Sequence, residues 1–316
     1  MSSAQGKSAL ICGSIAWDTI MVFRDRFSNH IIPDRIHQLN VSFLVPDMRR
    51  EFGGCAGNIA YNLKLLGDVG YPMATVGRDF GPYREWMARN QIPTDYIRVI
   101  ATEHTAQAFI TTDLDDNQIT AFHPGAMQQA HANKVSQATE AAASIGIVAP
   151  DGRDGMLQHA EQFVAAGIPF IFDPGQGLPL FGAPELTRFI DQATWVAVND
   201  YEWGLVQQKT GWNIGDVVKR VKALVITRGA RGSVIHTSQG DDIEIPCAKA
   251  SAIVDPTGCG DAYRAGLLHG LLHGLDWSTT GRIASLMGAI KIESLGTQNH
   301  KFTPAEFQAR LKQNFG

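Results

Sequence analysis

Four short, almost wholly apolar runs punctuate the second half of the chain: IGIVAP (145–150), PFIFDP (169–174), WVAVN (195–199) and ALVITRG (223–229). Between them lie stretches with helical spacing near 154–167, 183–193 and 200–209. Strands buried on both faces need no alternation of apolar and polar residues, and a strand–helix–strand rhythm closes through right-handed crossovers. An α/β fold with a mostly parallel sheet, covered by helices on both faces, is the expectation.

The first half reads differently. SALICGSIAWDTIMVF (8–23) suits a buried strand, a turn and a second extended segment. IHQLNVSFLV (36–45) alternates, with Leu39, Val41, Phe43 and Val45 on one side, which predicts a half-buried strand. GGCAGNIAYNLKLLG (53–67) is a glycine turn opening a helix, and AQAFITTDLDDNQITAFH (106–123) is a hairpin turning at Asp115-Asp116-Asn117. Two separated pieces, 18–50 and 106–123, are therefore expected to form a small β-sheet lid over a core made of 1–17, 51–105 and 124–316.

Composition narrows the function classes. The 316 residues carry 27 Lys and Arg against 31 Asp and Glu, a net charge of −4 with no long basic run, which argues against a nucleic-acid surface. MSSAQGKSALICGS lacks the apolar centre of a secretory signal, and no run reaches the ~18 apolar residues of a membrane span. Cys12, Cys55, Cys247 and Cys259 show no CxxC spacing, so neither a disulfide framework nor a zinc cluster is expected, and a cytoplasmic location is.

The chemistry concentrates in DPTGCGDAYRAG (255–266). Gly258, Cys259 and Gly260 lead into Asp261 where a helix starts. The turn's N–H groups suit an anion hole for a transferring phosphoryl group, and Asp261 suits the base for an attacking hydroxyl. The same residues would serve as a tight turn with a helix cap. Asn199 and Glu202 in NDYE read either as a capping box or as a carboxylate near Mg²⁺ acting through water. In EFGGCAGN, Asn58 with Asp18 would clamp a vicinal diol, unless the segment is only a strand-to-helix turn. Phe109 and Phe122, on opposite arms of the hairpin, are lid core or stacking partners for a ring. HGLLH places His269 and His273 four residues apart but lacks the glutamate of a zinc-protease helix. With no third ligand suggested by the sequence, they read as ordinary helix residues.

In this order the motifs resemble the ribokinase-like (PfkB) family of carbohydrate and nucleoside kinases, over about residues 9–310. FGGCAGNIAYNLKLLG is similar to that family's first signature and DPTGCGDAYRAG to its second, with Pro256, Cys259 and Tyr263 departing from the usual pattern; TVGRDFG (75–81), NDYE and ITRGARGS (226–233) match lesser features. The resemblance implies a three-layer α/β/α core with a small β lid. It implies Asp261 as base and Gly258, Cys259 and Gly260 as anion hole. Asp18, Gly54 and Asn58 would hold sugar hydroxyls. Asn199 and Glu202 would attend Mg²⁺ and phosphate, and Thr227 and Gly229 the ATP phosphates. Asp255 and Thr257 would help bind a monovalent cation such as K⁺, a role that Pro256 weakens by removing a backbone donor. The segments 27–54 and TAFHPGAM look like those of bacterial nucleoside and adenosine kinases. The function implied is ATP-dependent phosphorylation of a nucleoside 5′-hydroxyl; a ribose or hexose kinase is the alternative, and a non-catalytic nucleoside sensor a third reading. The expected partners are a small-molecule acceptor and ATP, with a homodimer as the assembly.

Overall fold

The computed structural model describes residues 8–31, 40–115, 117–138 and 141–316. Nine strands form one sheet: β1 (Ser8–Cys12), β4 (Val69–Gly77), β5 (Ile97–Ile100), β8 (Ile145–Val148), β9 (Phe170–Phe172), β10 (Trp195–Asn199), β11 (Ala223–Thr227), β12 (Ser233–Thr237) and β13 (Asp242–Ile245). Their order is β13-β12-β11-β10-β9-β8-β1-β4-β5. All neighbours run parallel except the antiparallel pairs β11–β12 and β12–β13. The four apolar runs are consecutive central strands, as their continuous burial requires. The antiparallel edge was not foreseen.

Helices cover both faces. Side chains of β1 alternate between two cores: Ala9 and Ile11 pack with α1 (Cys55–Leu65), α7 (Cys259–His273) and α8 (Trp277–Ile292). Leu10 and Cys12 pack with α3 (Arg153–Ala166), α4 (Ala183–Gln192) and α5 (Asp200–Thr210). A period of two along a strand makes this division unavoidable.

The second sheet has four strands in the order β3-β2-β6-β7, from β2 (Ala16–Val22), β3 (Asp47–Gly53), β6 (Ala106–Thr112) and β7 (Gln118–His123). Two stretches do come together, extending beyond 18–50 to residues 16–53. One expected strand is displaced. Residues 36–39 of the expected strand lie outside the described residues, and 40–46 form no strand although exposure alternates along them. There Phe43 packs between Phe23 and Phe27, with ring centroids at 4.8 and 4.9 Å. The polar segment DMRREFG supplies the partner of β2 instead.

Candidate active site

Two helix N-termini converge at the carboxyl end of the main sheet. At the first, Gly258 adopts φ 80° and caps α7, putting Asp261 in its first turn. That left-handed conformation is the reason for glycine there. The Cys259 N–H donates to Pro256 O at 3.2 Å, while among the described residues the N–H groups of Gly258, Gly260 and Asp261 have no protein acceptor. Two of the expected trio, Gly258 and Gly260, thus keep free N–H groups, and Asp261 takes the place of Cys259 as the third.

At the second, Gly54 caps α1 with φ 87°, and a side chain there would run into the Ser14 carbonyl and the backbone of Ile15 and Ala16. This close approach seats α1 on the β1–β2 turn and turns Asn58 toward α7. The Asn58 Nδ2 donates to Asp261 Oδ2 at 2.7 Å. Its orientation is enforced from behind. Gln298 Nε2 donates to Asn58 Oδ1 (3.0 Å) and to the Tyr83 hydroxyl (2.6 Å), while Gln298 Oε1 accepts from Trp86 Nε1 (3.0 Å) and Tyr83 donates to Gly53 O (2.9 Å). With every other amide position of Gln298 taken, Asn58 presents its NH₂ to Asp261.

Burial pushes the Asp261 carboxyl up to about 7; Asn58 and Arg264 pull it down and Asp173 pushes it further up. The carboxyl is therefore poised near neutrality rather than at its low intrinsic value. Only the deprotonated carboxylate can accept a proton from a hydroxyl, so a base role for Asp261 predicts activity that falls as pH drops. We expect kcat/KM to lose about tenfold per pH unit below an apparent pKa near 7. A profile flat from pH 8 to 5 would contradict this.

Other carboxyls crowd the same end of the molecule. Asp173, just beyond β9, pairs with Arg264 Nη2 at 3.0 Å, and both side chains are more than nine-tenths buried. Arg264 Nη2 also donates to Ala197 O, while among the described residues its Nε and Nη1 find no partner. Burial raises Asp151 to about 8, and burial with Asp255 and Glu51 raises Asp18 to about 6.

The remaining sequence candidates fall at the same strand ends or on the small sheet. Asn199 and Glu202 close a complete capping box: Glu202 Oε2 accepts from Asn199 N (2.8 Å), Oε1 from Asn199 Nδ2 (2.9 Å), and Asn199 Oδ1 from Glu202 N (2.8 Å). Burial and Asp173 nevertheless raise the Glu202 carboxyl, which places it in the Asp173–Arg264 field. Thr227 ends β11, and Gly229 follows with φ 56°. Asp255 is already satisfied: its oxygens accept from Thr257 N and Gly296 N, both at 2.9 Å. The buried Lys291 ammonium donates to the backbone oxygens of Asp255 (2.7 Å) and Ser294 (3.1 Å).

Phe109 and Phe122 cannot both face one ligand. Phe109 pairs with Thr19 and Ala121, whereas Phe122 pairs with Ala108, which pairs with Asp18. Paired residues share a face, so Phe122 lies on the Asp18 side and Phe109 on the other.

Sequence reading missed Asp173, Arg264, Tyr83, Gln298 and Lys291. Asp173 had a signal, an acidic residue closing an apolar strand. Arg264 had another, the one arginine in an otherwise largely apolar helix.

A model of the pfkB family of carbohydrate kinases matches residues 16–304. The chain belongs to the pfkB family. It is a phosphotransferase that acts on a hydroxyl and uses ATP. A nucleoside kinase of Methanocaldococcus jannaschii is 32% identical over 89% of this chain and 92% of its own length. The nucleoside kinase of Burkholderia thailandensis solved with inosine is 52% identical, with TM-score 0.89 over 98% of this chain and 99% of that one. Its complex with ADP-inosine superposes with TM-score 0.86, covering 98% and 96%. No described helix is long and apolar enough to cross a membrane.

Proposed function

We propose that this chain is a nucleoside kinase that transfers the γ-phosphoryl group of ATP to the 5′-hydroxyl of a purine nucleoside such as inosine or adenosine, in the cytoplasm and as part of purine salvage. The observation that carries the reading is Asp261, held by Asn58 at the mouth of α7, in a chain half identical to a kinase solved with inosine.

Asp261 accepts the hydroxyl proton late, because phosphoryl transfer proceeds through a loose transition state in which positioning outweighs basicity. The free N–H groups of Gly258, Gly260 and Asp261, at the positive end of α7, stabilise charge on the equatorial oxygens. Thr227 and Gly229 line the ATP phosphates. Glu202 and Asp173 are the hard oxygen donors on that side; with Asn199 holding both Glu202 oxygens, contact with Mg²⁺ would run through water, and the ion when bound neutralises phosphate charge. Asp18 and the Gly54 backbone hold the ribose hydroxyls, beside an Asn58 whose amide is largely committed to Asp261 and Gln298. The turn needs no monovalent cation, because Lys291 already supplies a buried positive charge to the carbonyl of Asp255. Exchanging K⁺ for tetramethylammonium should leave kcat within about twofold; a collapse of activity without K⁺ would restore the cation site.

The small sheet closes over the acceptor and excludes water, with Phe122 against the base. Phe122→Ala should raise nucleoside KM about tenfold, the scale of one lost aromatic contact, with ATP affinity unchanged. Phe109→Ala should do much less. Equal effects would remove the facial assignment.

ADP release from Mg·ATP across inosine, adenosine, guanosine, cytidine, ribose and fructose tests the function. Turnover of nucleosides with both sugars silent is expected. Turnover of the sugars alone would establish the sugar-kinase alternative, and none at all a sensor.

A further inference from the structure

At the far ends of the two helices that form the kinase site lies a second cluster. Asp68, in the turn between α1 and β4, accepts from His269 Nδ1 at 2.6 Å and from His273 Nε2 at 2.9 Å, both on the last turns of α7. The donor atoms of the three side chains all lie within 4.8 Å of one another. The i, i+4 spacing noticed in HGLLH thus has a third partner, supplied from far along the chain.

Asp68 is buried, its side chain 4% exposed, and a buried carboxylate is ordinarily met by a permanent cation. Among the described residues Asp68 pairs with no Lys or Arg; its side-chain partners are the two imidazoles. His269 is largely buried, His273 is about one-third exposed, and His269 lines a cavity of about 530 Å³. Each imidazole faces Asp68 through the nitrogen that would ligate a metal once deprotonated.

We propose that Asp68, His269 and His273 bind a divalent transition-metal ion, Zn²⁺ or its neighbours Co²⁺ and Ni²⁺, with water from the cavity as fourth ligand. Two imidazole nitrogens and one carboxylate oxygen are a donor set for such ions, and the nitrogens select against Mg²⁺. Bonds of ~2.0–2.1 Å to a tetrahedral ion place neighbouring donors about 3.3 Å apart. The imidazole–carboxylate pairs would open by about half an ångström, within the freedom of a terminal helical turn. The ion would pin the end of α7 to the α1–β4 turn, at the opposite ends of the helices that present Asp261 and Asn58.

The test uses full-length, tag-free protein, titrated calorimetrically with Zn²⁺ in millimolar Mg²⁺ and followed by thermal unfolding. One equivalent should bind and raise Tm, and Co²⁺ should give the visible absorption of a tetrahedral site. His273→Ala, at a partly exposed position, and the near-isosteric Asp68→Asn should each weaken binding by at least about 100-fold, since even indirect supports of a metal site are worth 10–100-fold. No stoichiometric binding by the wild-type protein would overturn the proposal. So would undiminished binding by a folded His273→Ala protein, which would place the ion elsewhere.

Discussion

Asp261→Asn is expected to lower kcat by about 10²- to 10⁴-fold, the range for losing a positioned general base. The amide keeps the carboxylate's shape and can still accept from Asn58 through its oxygen, so the contact at 2.7 Å survives. Stability should not fall. The Asp261 carboxyl, normally near 4, sits at about 7 in the folded chain, so ionising it opposes folding. The contribution of its protonated form is fully present below about pH 4 and is lost as pH rises through 7; a neutral amide at pH 8 is therefore neutral or stabilising. ATP affinity, measured by displacement of a fluorescent analogue, should change little. Near-wild-type turnover by a folded Asp261→Asn protein would remove the base from the mechanism.

Much of this site was legible because it rests on local backbone demands. Gly258 and Gly54 sit where φ must be positive, and such positions mark themselves in a sequence by glycine followed by a helical pattern. The central strands were equally plain, since burial on both faces leaves unbroken apolar runs. What stayed hidden depends on distant pairing. Gln298 lies 240 residues from Asn58, and nothing near it in sequence announces that it orients that amide. Lys291 resembles any lysine near a helix end until Asp255 O is found beside it. The strand at 47–53 was missed because pairing with β2, not apolar alternation, defines it, and the described part of the 36–45 stretch, from residue 40, forms no strand while Phe43 joins an aromatic cluster. His269 and His273 read as ordinary for the same reason: their partner belongs to another element.

The second large effect should come from Arg264. A buried ion pair is a weak source of stability, since desolvation offsets most of its Coulomb attraction, but breaking one strands the other charge. Arg264→Leu leaves Asp173 buried beside Asp261 and Glu202 with no cation, and should destabilise the fold by about 3–5 kcal/mol. Asp173→Asn in the same chain should recover most of that loss, because the stranded charge is then gone. A second readout separates this role from packing. Arg264 holds the Asp261 carboxyl down while Asp173 pushes it up. Removing the arginine alone should move the acid limb of kcat/KM to higher pH, and removing both should bring it back toward the wild-type position. Urea unfolding and pH–rate profiles of the two variants measure both effects. If Arg264→Leu unfolds within about 1 kcal/mol of wild type and its acid limb stays in place, the pair is an incidental feature of the core. If the limb moves as expected, Arg264 is a positioning residue that keeps a crowded set of carboxyls at the pH where their base can work.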